Sequence, residues 1–164
     1  MDNKNSMRVI FLDIDGVVAT GLSGRLEALF RRDMRHWRFD PVSLRLLRRA
    51  VKKSGAVVVL SSSWRDCLLI DDPDMREAYE NLRGRLARNG TPLYDVTPMH
   101  TEGDKGTEIA EWLAGHGGAA QYAVLDDNNC FRLSPETAAH WIPCRDGLRP
   151  KQYRKLLRML EASG

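Results

Sequence analysis

Long apolar runs are missing from this chain. None approaches the roughly 20 residues that a membrane span requires, so no membrane contact is expected. Cysteine is scarce too. Cys67, Cys130 and Cys144 are odd in number and lack C-x-x-C spacing, and the four histidines are scattered. These exclude a disulfide framework and a structural zinc site, and leave reduced, packed thiols. The first residues, Met1-Asp2-Asn3-Lys4-Asn5-Ser6, have no apolar core of a signal peptide. A cytoplasmic protein with a flexible terminus over residues 1–7 is the expectation. Internal repeats, low-complexity segments and Pro/Gly-rich linkers are also lacking, so residues 1–164 read as a single domain. Neither sign of charge dominates. The balance of 25 basic against 22 acidic residues leaves a net charge of +3, unevenly placed.

What the chain does have is a series of short, uniformly apolar segments. Val9-Ile10-Phe11-Leu12 shows no polar alternation, which suits a strand buried on both faces of a parallel sheet. It runs into Asp13-Ile14-Asp15-Gly16-Val17-Val18. Residues i and i+2 of a strand project to the same side, so Asp13 and Asp15 are expected to face one crevice, with Gly16 turning the chain away. Two carboxylates held that close repel unless a cation or a shared proton relieves them. A hard, oxygen-seeking ion such as Mg²⁺ is the natural partner. Taken alone, the stretch reads equally well as a strand closed by an Asp-Gly turn.

Ala56-Val57-Val58-Val59-Leu60 and Tyr122-Ala123-Val124-Leu125 are two further buried strands; residues 93–96 and 139–143 are shorter candidates, the latter at an edge. Asp40-Pro41 opens a helix with an N-cap and a first-turn proline. Leu44, Leu46, Leu47, Ala50 and Val51 make its apolar stripe, and Ser54-Gly55 closes it. Strand, helix and strand then form a βαβ unit. Asp72-Pro73 opens a helix to about Arg88, Asp104 or Gly103 opens one over residues 105–114, and a last helix spans residues 149–161. Residues 25–34 read as a short helix. The run Arg31-Arg32-Asp33-Met34-Arg35-His36-Trp37-Arg38-Phe39 interleaves basic and aromatic residues. That pattern fits a nucleic-acid surface, or a solvated basic face with Trp37 and Phe39 pinned into the core, the commoner fate of aromatics.

Three of the buried strands end in polar clusters: Asp13/Asp15, Ser61-Ser62-Ser63 and Asp126-Asp127. In an open parallel sheet the carboxyl ends of the strands form the ligand crevice. Three clusters at corresponding places are hard to attribute to solubility. Lys105, at a helix start, adds a cation. Carboxylates that hold Mg²⁺, Mg²⁺ that neutralises phosphoryl oxygens, and a hydroxyl and an ammonium for the rest make up a phosphate site.

With these residues in place the sequence resembles the haloacid dehalogenase (HAD) superfamily of aspartate-nucleophile phosphohydrolases. Phe11-Leu12-Asp13-Ile14-Asp15-Gly16-Val17 matches its first motif, Val57-Val58-Val59-Leu60-Ser61 its second, Lys105 its third, and Val124-Leu125-Asp126-Asp127 its fourth. The first motif is specific; the others gain weight from their order. Ser61-Ser62-Ser63-Trp64-Arg65 and Lys105-Gly106-x-Glu108-Ile109-x-x-Trp112-Leu113 further resemble HAD-type domains associated with RNA-repair proteins. The resemblance implies a three-layer α/β/α Rossmann-like fold with a central, mostly parallel sheet. It implies Asp13 as nucleophile, Asp15 as acid and then base, Ser61 as a hydrogen-bond donor to a phosphoryl oxygen, and Lys105 as the offsetting charge. Mg²⁺ would bind the Asp13 carboxylate, the Asp15 backbone carbonyl and Asp127, with Asp126 standing behind. Ser61, Ser62, Arg65 and Lys105 are the substrate-binding candidates, although Arg65 serves equally well in a structural salt bridge.

The gaps between motifs are also informative. Some 45 residues separate Asp15 from Ser61 and 43 separate Ser61 from Lys105, each largely used by helices and loops that pack on the sheet. No large cap domain is therefore expected, and the open site would admit a phosphate on a large partner. Basic faces at Arg45, Arg48, Arg49, Lys52 and Lys53, and at Lys151, Arg154, Lys155 and Arg158, would favour a nucleic-acid end, or are the solvated sides of packed helices. Three other readings stand beside a nucleic-acid end phosphatase. They are a phosphatase of mononucleotides or small phosphometabolites, a phosphotransferase sharing the aspartyl-phosphate step, and a catalytically silent nucleic-acid-binding module. Oligomeric state has no signature in the sequence.

Overall fold

The computed structural model describes residues 7–21, 38–100, 104–118, 121–127 and 134–161. Five strands form one sheet: β1 (Arg8–Leu12), β2 (Val57–Leu60), β3 (Leu93–Val96), β4 (Gln121–Asp126) and β5 (Trp141–Pro143). Their order is β3-β2-β1-β4-β5, and every pairing is parallel. The uniformly apolar strands are explained by cover on both faces. Ile10, Leu12, Val58, Leu60, Ala123 and Leu125 belong to one apolar cluster, and Val9, Phe11, Val59, Tyr122 and Val124 to the other. Alternate residues along each strand thus feed opposite layers.

The first layer is built by three helices: α1 (Pro41–Ser54), α2 (Pro73–Arg88) and, at the end of the described chain, Pro150–Glu161. They contribute Leu46 and Leu47, Leu82 and Leu86, and Leu156 and Leu160. The opposite layer centres on α3 (Lys105–Gly115), whose Ile109 and Trp112 are buried. Trp112 and Tyr122 meet the Phe11 ring edge-on, with centroids 5.4 and 5.9 Å away. A short helix, α4 (Pro135–Ala139), precedes β5, and Pro150–Glu161 is therefore α5. The three-layer α/β/α arrangement expected from the sequence is present, and among the described residues no cap domain stands over the strand ends.

Capping chemistry fixes where α1 begins. The Asp40 carboxylate accepts from the Ser43 amide at 2.7 Å, and Gly55, at φ 69°, takes the left-handed position that closes the helix. Asp40 also receives both terminal nitrogens of Arg149, at 2.9 and 3.0 Å. This pair ties the start of α1 to the segment entering α5. The same segment braces the turn after β1, where the Gly147 amide donates to the Gly16 carbonyl at 2.7 Å and the Leu148 amide to Val17 at 3.2 Å.

Three details differ from the sequence reading or fall outside it. Residues 63–68 form a 3₁₀ helix, Ser63–Leu68, that periodicity did not mark. The 139–143 segment divides, with Ala139 ending α4 and the strand starting at Trp141. The helix expected over residues 25–34 and the position of Trp37 lie outside the described residues, while Phe39 is buried as expected. No helix among the described residues is long and apolar enough to cross a membrane.

Candidate active site

Strand order reverses at β1, with β2 and β3 on one side of it and β4 and β5 on the other. Such a switch point opens a crevice beyond the carboxyl ends of the strands. The backbone ladder continues one residue past β1 and β2, through Asp13 N–H to Leu125 O and Ser61 N–H to Leu12 O, both 2.9 Å. Asp13 is thereby fixed between the ends of β4 and β2. Asp126 ends β4 and Asp127 follows it. One carboxyl oxygen from each of Asp13, Asp126 and Asp127 lies within 4.8 Å of the others. Lys105 is the first residue of α3, whose start is fixed by the Asp104 carboxylate accepting from the Gly106 and Thr107 amides. Its ammonium is paired with Asp126 and stands 3.9 Å from Asp13 Oδ1.

Gly16 makes this convergence possible. It has φ 75°, and a Cβ there would lie 2.3 Å from the Asp127 Cβ. Only glycine leaves room for Asp127 to come in against the turn. Asp15 is exposed at the mouth, and its Oδ2 accepts from the Trp64 indole N–H at 3.2 Å. Ser61 is buried, and its hydroxyl has no hydrogen-bond partner among the described residues. The neighbouring Ser62 hydroxyl accepts from the Trp64 amide at 3.5 Å and is close enough to Asp13 to work against the rise of its carboxyl. Arg65 is buried with its guanidinium on Glu108 and Thr97.

These groups line a cavity of about 410 Å³ whose charge is unbalanced. Among the described residues its wall carries six carboxyl groups, those of Asp13, Asp15, Asp66, Glu108, Asp126 and Asp127, against the fixed cations Lys105 and Arg65. Burial, only partly offset by Lys105 and reinforced by Asp126, pushes the Asp13 carboxyl up to about 7. Burial and then Asp126 also raise Asp127. Without a bound cation, these described groups would repel an anionic substrate. The donor set is all oxygen and closely spaced, and it suits a hard divalent ion. The unpartnered Ser61 hydroxyl, buried beside it, is a donor waiting for an acceptor.

Asp13, Asp15, Lys105, Asp126 and Asp127, singled out in the sequence, thus meet at one cavity, with Ser61 and Ser62 buried behind Asp13. Arg65 reaches the wall while held by Glu108. The exposed lysines and arginines of α1 do not line the cavity. The far end of α1 meets the beginning of β1, where Arg8 donates to the Ser54 carbonyl at 3.0 Å, at the sheet end opposite the site. Sequence reasoning did not assign roles to Ser63, Asp66, Met99, His100 or Glu108, which also line the cavity. Glu108 carried a signal, its place in the Lys105-Gly106-x-Glu108 run. Met99 and His100 sit in a loop with no pattern to mark them.

Fold and site together define a HAD-type domain. More particularly, residues 9–152 match the family described as the HAD domain in Swiss Army Knife RNA repair proteins, and the chain belongs to that family. A search of curated proteins finds no match. Among solved structures the chain is similar to D,D-heptose 1.7-bisphosphate phosphatase from B. bronchiseptica, complexed with magnesium and phosphate. The TM-score is 0.56 with 20% identity, covering 96% of this chain and 88% of that one. At that identity the likeness is one of fold.

Proposed function

We propose that this protein is a Mg²⁺-dependent phosphohydrolase that works through an aspartyl-phosphate on Asp13 and acts on a phosphate at a nucleic-acid end. The observation that carries the chemistry is the clustering of Asp13, Asp126 and Asp127 around Lys105 at the switch point, with Asp15 at the mouth. Family membership supports a phosphatase and an RNA-related substrate. Asp13 and Asp127 would hold the ion, together with the Asp15 carbonyl, while Asp126 stays engaged by Lys105. Bound Mg²⁺ supplies charge neutralisation for the phosphoryl oxygens.

The side chains divide the work. An Asp13 carboxylate oxygen attacks phosphorus as the bond to the leaving oxygen breaks, and protonated Asp15 gives that oxygen its proton. Asp15 then takes a proton from a water that attacks the phosphoryl group, releasing inorganic phosphate and restoring Asp13. The Ser61 hydroxyl donates to a phosphoryl oxygen, and the Lys105 ammonium offsets the charge that gathers there. Phosphate release from a monoester should require Mg²⁺ and stop with EDTA. Release that survives chelation would rule the reading out.

A second reading, a phosphatase of mononucleotides or small phosphometabolites, has one observation in its favour: none of the basic residues of α1 lines the cavity. Release from a 3′-phosphorylated oligonucleotide compared with the free mononucleotide separates the two. A clear preference for the mononucleotide would favour the second.

A further inference from the structure

Beside the phosphate site lies another cavity of about 410 Å³. The two share Asp15, Ser63 and Asp66. The remaining wall of the second cavity is apolar, formed by Trp64, Cys67, Ile70 and Met75. Trp64 and Cys67 are buried and make a firm floor, while Ile70 is 47% exposed at the lip. Of the four large hydrophobic side chains exposed among the described residues, three are the consecutive Leu68, Leu69 and Ile70. Apolar surface concentrated beside a polar site marks a place for a ligand.

Resting on the phosphohydrolase reading above, we infer that this second cavity receives the base of the nucleoside whose phosphate is removed. Displacement at phosphorus places the leaving oxygen opposite Asp13, and Asp15 has to be within hydrogen-bond reach of it to protonate it. Trp64 holds the Asp15 carboxylate on the wall between the two cavities. The group that carries the leaving oxygen therefore extends from Asp15 into the second cavity. Among the described residues its lining supplies the carboxylates of Asp15 and Asp66 and no cation. It rejects a phosphodiester and accepts a flat, uncharged ring, which packs on the aliphatic and thioether wall of Ile70 and Met75. Of the parts of a nucleic-acid end, only the base has that character.

The test compares kcat/KM, with Mg²⁺ present, for adenosine 3′-phosphate and for the same ribose 3-phosphate with hydrogen in place of the base. The wild-type ratio should favour the base-bearing ester by about tenfold or more, mainly through KM. Ile70→Asp, at an exposed position, should lower that ratio about tenfold, and Ile70→Phe should hold or raise it. Met75→Gln, on α2, gives an independent second reading of the same wall. A wild-type ratio near one would overturn the inference while leaving the phosphohydrolase reading intact. So would a ratio that neither Ile70→Asp nor Met75→Gln moves. No phosphate from either ester or from a 3′-phosphorylated oligonucleotide would overturn both, and release from the oligonucleotide but from neither ester would overturn the inference alone.

Discussion

Asp40 and Asp13 are both buried aspartates that face a cation, and burial ends differently for each. Burial pushes the Asp40 carboxyl up, but two hydrogen bonds from Arg149 and one from the Ser43 amide outweigh it and hold the group below its ordinary value. At Asp13 burial wins. Lys105 stands 3.9 Å away and is shared with Asp126, so the carboxyl rises to about 7. The first is matched within the free protein and joins α1 to α5. The second has only a shared cation among the described residues, which fits the nucleophile's role proposed for it. Fold and function draw on the same pair type with opposite completeness.

Asp13→Asn should give the largest effect, since it removes the proposed nucleophile. Phosphate release should fall by at least about 10³-fold with Mg²⁺ present, and near-normal release would break the comparison at its functional end. At the structural end, Arg149→Met leaves Asp40 buried without its cation. We expect a loss of about 1.5–3 kcal/mol, reduced because Arg149 is partly exposed, read as a fall of several degrees in Tm. Turnover by the folded fraction should change little. Unchanged Tm would mean that the pair adds nothing to stability. Gly16→Ala should cost about 1–2 kcal/mol from its positive φ alone. It should also weaken Mg²⁺ binding about tenfold in calorimetry, because Asp127 has to move.

The smallest effect sharpens the contrast through pH. Asp13 titrates near 7 in the fold against a reference of 3.8, so its contribution is intact below about pH 4 and is lost as pH rises toward 7. Asp40 has the opposite sign: its contribution is present above the ordinary carboxylate value and is lost as pH falls through the lowered one. In metal-free protein, Asp13→Asn should therefore raise Tm by a few degrees at pH 8 and hardly at all at pH 4. An equal gain at both pH values would assign the difference to packing rather than charge.

Much of this site was legible in the sequence because each apolar run ends abruptly in polar residues. Asp13, Ser61 and Asp126 lie at or one step beyond the ends of β1, β2 and β4, so finding the strands found the site. The fold followed from the same runs, with Asp40-Pro41 and Ser54-Gly55 marking a helix by its caps. Contacts made by residues outside any period were not legible. Nothing in the sequence says that Trp64 should donate to Asp15, or that Glu108 should take Arg65, since both depend on how a 3₁₀ helix packs against its neighbours. Three consecutive serines cannot be told apart by pattern either. In the fold the Ser62 hydroxyl accepts from the Trp64 amide, the Ser61 hydroxyl has no partner among the described residues, and Ser63 lines the cavity.

The missing side chain at Gly16 couples two positions far apart in the chain, and the coupling has a bearing on descent. A Cβ at 16 and the side chain of Asp127 compete for one space, so substitutions at the two sites will be epistatic rather than additive. A lineage that gains a side chain at 16 is under pressure to shrink residue 127, and with it goes a carboxylate. The sheet would survive that path, since neither residue belongs to a strand. In chains of this fold, glycine at the first position and aspartate at the second should therefore be kept or lost together, and finding one without the other marks a protein on its way out of catalysis.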